Sequence, residues 1–142
     1  MLVKTYGSTV YGVDAMMITI EVNISQGVGY NLVGLPDNAV KESSHRINAA
    51  FEPNGFRWPG KKITVNMAPA DIRKEGAAFD LPIALGILAA SGQIPDDSAA
   101  EFMVMGELSL DGSLKGIRGA LPIAIEARQR GFRGIILPRE NA

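Results

Sequence analysis

The 142-residue chain has no cysteine and one histidine, His45. The first absence removes disulfides, thiol nucleophiles and thiolate metal sites. The second leaves no histidine cluster for a metal, and His45 neighbours charged residues rather than other ligands. No window approaches eighteen consecutive apolar residues, so no helix spanning a membrane is expected. The first residues, Met1 to Gly7, lack the basic start and apolar stretch of a secretory signal, so the cytoplasm is the expected compartment. Neither G-x-x-x-x-G-K-[ST] nor G-x-G-x-x-G occurs, and Gly27-Val-Gly leads into a strand rather than a helix. The chain is therefore not expected to hydrolyse ATP by itself. Ser91, Ser109 and Ser113 follow a helix or flank a turn, and none adjoins a base with recognisable spacing.

What is present suits one folded domain. Apolar residues make up 46% of the chain, enough for a core. The net charge of −1 conceals blocks. Residues 39–74 carry seven basic against three acidic side chains, residues 75–114 seven acidic and no basic, and residues 115–142 six basic against two acidic. Two readings stand: a basic face for an anionic partner, or charge that only solvates the surface.

The pattern predicts roughly β-β-β-α-β-α-β-α-β. Leu2 to Val10 and Ala15 to Ile24 alternate as strands, with Gly7, Gly12 and Asp14 marking the turn between them. Ile18, Ile20, Val22 and Ile24 face one side, and Thr19, Glu21 and Asn23 the other. Tyr30 to Val33 is a third strand. Asp37 caps a helix running to about Phe51, with Val40, Ile47, Ala50 and Phe51 inward. After the strand Ile63–Met67, Asp80 as a cap and Pro82 in the first turn open a second helix, apolar on most sides and therefore central. Phe102 to Leu110 reads as one strand turning at Asp111-Gly. Pro122 opens a third helix, with Ile123, Ala124 and Ala127 inward and Gly131 as its stop, and Ile135 to Pro138 closes the pattern. The chain stops at Asn141-Ala142 without a capping signal, as a piece of a longer protein would.

The segment Ala68–Gly86 is the most informative. A charged turn from Arg73 to Gly76 leads into a nearly nonpolar helix, a junction where folds place nucleophiles or anions because the first helical N–H groups lack partners. The positions for a nucleophile hold Ala77 and Ala78, which have nothing to activate. Asp71, Glu75 and Asp80 are either Mg²⁺ ligands or, more simply, counter-charges to Arg73 and Lys74. A second cationic loop sets Arg57 and Trp58 beside Pro59-Gly-Lys61-Lys62. It reads as phosphate contacts plus stacking for single-stranded nucleic acid, or as a solvated turn with an aromatic packed inward.

Val33-Gly-Leu-Pro-Asp-Asn-Ala-Val-Lys-Glu-Ser and the run from Pro59 to Gly86 closely resemble the amino-terminal domain of the magnesium-chelatase-like (competence-protein ComM) family of AAA+ ATPases. Gly106-Glu-Leu-Ser-Leu-Asp-Gly and Gly131 to Asn141 continue the match over essentially the whole chain. The resemblance implies one accessory domain, residues 1–142, followed in the parent by an AAA+ module that carries the Walker motifs, ATP and Mg²⁺. No cofactor is then expected in this chain. It also implies a parent that forms a homo-oligomeric, hexameric ring and acts in DNA branch migration, recombination or natural transformation. The same segments resemble a degenerate Lon-protease-type domain, of α+β, ribosomal-S5-domain-2-like fold with a mixed sheet and about three helices. Lon proteases use a Ser–Lys dyad, and here Ala78 and Leu121 stand at those two positions. The implied function is a non-catalytic domain that supports ring assembly or contacts DNA, with Arg57, Trp58, Lys61, Lys62, Arg73 and Lys74 as candidate contacts. Its expected partners are its own AAA+ module, further copies and DNA, with no membrane. The alternatives are a Lon-type peptidase, disfavoured by the missing dyad, and a protein-partner adaptor.

Overall fold

The computed structural model describes residues 1–11, 13–96 and 99–142, with Tyr11 by its backbone alone. Strands β1 (Leu2–Tyr11) and β2 (Asp14–Ser25) form a long antiparallel hairpin, registered from Leu2↔Asn23 to Tyr11↔Asp14. Next come β3 (Gly29–Val33), helices α1 (Asn38–Lys41) and α2 (Ser43–Phe51), and β4 (Lys62–Ala68). Helix α3 (Asp80–Ala90) precedes β5 (Phe102–Val104), a small ribbon of β6 (Glu107–Leu108) and β7 (Leu114–Lys115), helix α4 (Ala120–Gln129) and β8 (Gly134–Ile136). The main sheet has the order β3-β4-β2-β1-β5-β8. Only β2 runs against the other five strands. The fold is mixed, with a six-stranded sheet, two long helices α3 and α4, and the paired short helices α1 and α2.

The alternation expected in β2 is realised. Ile18, Ile20, Val22 and Ile24 are buried, whereas Thr19, Glu21 and Asn23 are half-buried on the other side. The buried face receives α3, whose residues from Ile83 to Ala90 are buried apart from half-exposed Leu85. Gly86 is the contact point, since a Cβ there would lie 2.6 Å from Val22 Cγ2. Thr5 Oγ1 donates to the Pro82 carbonyl at 2.8 Å, which pins the helix start to β1. Helix α4 covers part of the opposite face. Gly119 at its start abuts Val10, and Phe132 beyond its end meets Tyr6 edge-on at 5.4 Å. The rest of that face stays polar, with Asn66 donating to Glu21 across β4 and β2 at 2.9 Å.

Four expectations change. Gly7 is no turn residue: it pairs with Ile18 inside β1, under Phe79 and Met105, where a side chain would not fit. The expected turn residue Gly12 lies outside the described residues. The single strand Phe102–Leu110 is broken: Met105 N–H makes the last ladder bond, to Ile136 of β8, and Gly106 N–H then goes to the Ala78 carbonyl and turns the chain out of the sheet. The helix capped by Asp37 is interrupted at Glu42. Asp80 is the first helical residue rather than a cap, and its carboxylate is used elsewhere.

Candidate functional site

The five co-directional strands place their carboxyl ends at one edge of the sheet, and the Arg73–Gly76 turn is held there by the corner after β3. Gly34 (φ +112°) starts this corner, and a Cβ on it would lie 2.2 Å from the Met67 carbonyl oxygen. Leu35 follows at φ +57°, unusual for a residue with a side chain. Two backbone bonds of 2.9 Å, Lys74 N–H to Leu35 and Asp37 N–H to Lys74, zip the corner to the turn. Asp37 completes the clasp: one carboxylate oxygen caps α1 through Val40 N–H at 2.8 Å, and the other accepts from Gly76 N–H at 3.0 Å. Lys74 is fully buried and its ammonium donates to the Pro69 carbonyl. Burial holds its pKa below the ordinary lysine value, with Asp71 pulling weakly the other way.

Beneath this turn lies an ion pair that the sequence did not signal. Arg46, on α2, grips fully buried Asp80 with two bonds of 2.7 and 2.9 Å and also donates to the Ala39 carbonyl at 2.6 Å. Leu108 N–H gives Asp80 a further bond at 3.1 Å. Burial raises the Asp80 pKa and outweighs the opposing effects of Arg46 and Leu108, whereas Arg46 is raised chiefly by its bond to Asp80. The pair ties α2, α3 and the β6–β7 ribbon together.

Between the turn, the end of β1 and the loop before α4 opens a cleft of about 630 Å³. Ala78 lines it, but Leu121 is 71% exposed and does not. Ser8, buried in the cleft wall, bonds backbone carbonyls of Thr9 and Met16 and has no basic partner. The described lining contains no lysine, histidine or cysteine, and its carboxylates, Asp37, Glu75 and Glu107, make no hydrogen bond to Ser8 among the described residues. Among the described residues there is also no group of three or more acidic or histidine side chains placed to hold a metal ion.

The six candidate contacts do not form one surface. Arg57, Lys61 and Lys62 lie at the start of β4, and Arg73 and Lys74 beyond its end, about 20 Å away at ~3.3 Å per residue. Arg73 is exposed and paired with Glu75 at 3.1 Å, while Lys74 presents no surface. Trp58 packs between Tyr30 and Phe51, with ring centroids 5.6 and 6.3 Å apart, so the inward reading of the aromatic holds. Arg57, Lys61 and Lys62 are exposed and pair with no acid among the described residues. Gln93 fixes the Arg57 backbone with bonds of 2.9 and 2.8 Å, and Arg57 and Lys61 line a hollow of about 350 Å³. The charge blocks are partly neutralised by folding: Asp80 pairs with Arg46, Glu101 with Arg133 and Glu126 with Arg130. Arg118, which no motif flagged, proves to line the cleft.

The family described as subunit ChlI of Mg-chelatase matches residues 20–141. The competence protein ComM of Haemophilus influenzae is 46% identical over 142 residues, which cover 99% of this chain and 28% of that protein. The uncharacterized protein YifB of Escherichia coli is 47% identical over 131 residues, 92% of this chain and 26% of its own length. Lon protease 2 of Bacillus subtilis, 27% identical over 153 residues, is a more distant relative that covers 95% of this chain and 27% of the protease. The chain thus spans little more than a quarter of the length of the curated relatives it matches. No helix among the described residues is long and apolar enough to cross a membrane.

Proposed function

The chain belongs to the family of subunit ChlI of Mg-chelatase, and on that premise we propose that it is a non-catalytic accessory domain of a magnesium-chelatase-like AAA+ ATPase. ATP and Mg²⁺ belong to the ATPase module of the parent, which works in the cytoplasm as a ring. By likeness to the competence protein ComM, the parent acts on DNA in recombination or natural transformation. The domain contacts DNA through the end of the sheet that carries Arg57, Lys61 and Lys62. The observation that carries this reading is the three exposed cations without an acidic partner among the described residues, with the Arg57 backbone held by Gln93. Arg73 contributes less, because Glu75 already neutralises it, and Lys74 serves only to hold the turn. A Lon-type peptidase is disfavoured, since Ala78 offers no nucleophile and Leu121 no base.

The test is fluorescence anisotropy of labelled single-stranded and branched DNA over a salt series. The triple variant Arg57→Glu, Lys61→Glu, Lys62→Glu is expected to lose binding. Single-strand affinity of the unaltered domain should fall with log salt by about 0.7 per phosphate contact, so three contacts give a slope near −2. Arg73→Glu should change binding by less than about threefold. Absence of binding at low salt, in a domain that self-associates, would leave ring assembly as its role and refute the DNA contact.

A further inference from the structure

The cleft beside Ala78 is not used by the nucleic-acid reading, and its walls are those of a strand acceptor. In β1, Tyr6 pairs with Met103 of β5, but β5 then ends and the chain turns away at Gly106. Ser8, Thr9 and Val10 therefore have β2 on one side and the cleft on the other. Ser8 N–H points to the cleft side, where its partner is the Met105 thioether at 3.4 Å, a weak acceptor. Peptide groups alternate along a strand, so Val10 N–H and the carbonyls of Ser8 and Val10 face the same way. This is a strand edge about 7 Å long, opening into a cavity rather than onto bulk solvent. The cavity of about 630 Å³ lies within the ~300–1,000 Å³ range of ligand clefts.

The charges around it are of two kinds. Asp37 is consumed by Val40 and Gly76, and Arg73 by Glu75. Arg118 and Glu107 make no salt bridge among the described residues, although Glu107 lies close enough to act on Arg46, and they place one cation and one anion on the same cleft. A nucleic acid would meet Glu107 unfavourably. An extended peptide with one acidic and one basic side chain satisfies both. We infer that this cleft binds an extended segment of another polypeptide as an added strand on the Ser8–Val10 edge, with its charged side chains on Arg118 and Glu107. Ala78 forms the floor, so the segment is held and released intact. The inference stands independently of the DNA contact, which lies at the opposite end of β4.

The test uses four end-blocked, fluorescein-labelled hexapeptides of alternating valine and threonine, each carrying one glutamate and one lysine at different positions, titrated to 1 mM. At least one is expected to bind the unaltered domain, to protect the Val10 amide from hydrogen exchange and to remain uncleaved by mass spectrometry. Methylating alternate amide nitrogens of that peptide removes ladder donors but keeps its side chains, and should weaken binding at least tenfold. Ala78→Trp fills the cleft and should do the same, while Arg118→Glu should weaken binding several-fold and respond to salt. Circular dichroism and an unchanged thermal midpoint of both variants separate a blocked cleft from a lost fold. No binding by any of the four peptides overturns the inference. So does equal binding of the methylated peptide, or binding unaffected by Ala78→Trp.

Discussion

Replacing Arg46 by alanine tests the account of the buried ion pair most directly. The substitution removes three hydrogen bonds, two to Asp80 and one to the Ala39 carbonyl, and leaves the Asp80 carboxylate with Leu108 N–H alone. Asp80 is fully buried, so loss of the guanidinium leaves its charge poorly compensated. Breaking such a pair from one side costs about 3–5 kcal/mol. At ~2.1 cal/mol/K per residue, the unfolding entropy of a chain this size is about 0.3 kcal/mol/K, so Tm should fall by roughly 10–17 °C. The pH dependence supplies a second signature. The Asp80 pKa is raised in the folded domain, so its contribution to stability declines as pH climbs from the unfolded value through the folded one. Losing Arg46 removes the strongest influence that lowers this pKa and leaves only Leu108 N–H, so the folded value rises further and the window widens. The deficit of the variant should therefore shrink on acidification, as Asp80 becomes neutral. Thermal unfolding of both proteins from pH 7 down to pH 4 reads both effects. A loss below about 1 kcal/mol, or a deficit that does not change with pH, would refute the reasoning.

Three further outcomes follow from other positions. Gly34→Ala should cost about 3 kcal/mol in urea unfolding, because its Cβ would meet the Met67 carbonyl oxygen at 2.2 Å and its φ is +112°; an unchanged midpoint would sink that expectation. Tyr30→Phe should be neutral or stabilising by up to about 1 kcal/mol, since the Tyr30 hydroxyl and Ser43 Oγ are both buried without a hydrogen-bond partner among the described residues, and burial pushes the Tyr30 pKa up to about 12. A clear loss of stability would mean that these two hydroxyls bond each other in solution. The lowered Lys74 pKa makes the folded domain gain stability as pH rises through that value towards the ordinary 10.5. Lys74→Met should flatten this alkaline rise, and a persisting rise would assign it to another group.

The hairpin, the central helix and the inward positions of α2 were legible because each repeats a simple period: alternation in Ile18 to Ile24, and near-continuous nonpolarity in Ile83 to Ala90. What failed was decided by distant partners. Asp80 followed by Pro82 has the form of a helix start, but Arg46, 34 residues earlier, claims the carboxylate. Lys74 read as a surface cation because lysine usually is one, and only the carbonyl of Pro69 and the zipped corner at Leu35 and Asp37 account for its burial. The break after Val104 depends on the carbonyl of Ala78, which local composition does not encode. The family signal was strong because it lies in the clasp itself, Gly34 to Asp37 and Arg73 to Asp80. The division of the cations between two ends needed the direction of β4.

The two outer strands, β3 and β8, run in the same direction, and this limits how copies of the domain can join. A sheet of six strands turns by about 20–25° at each of its five steps, or roughly 110° from edge to edge. Copies joined by laying β8 of one against β3 of the next would continue that screw, advancing along the sheet as they rotate. Such a head-to-tail join closes into a ring only if its rotation does, and otherwise it grows a fibre. The domain curbs this growth at one side. Strand β8 offers three residues, and Pro138, two positions beyond it, brings no N–H to extend the ladder. A short edge of this kind favours assembly through helix and loop surfaces, which leaves the sheet of each copy a separate, finite object.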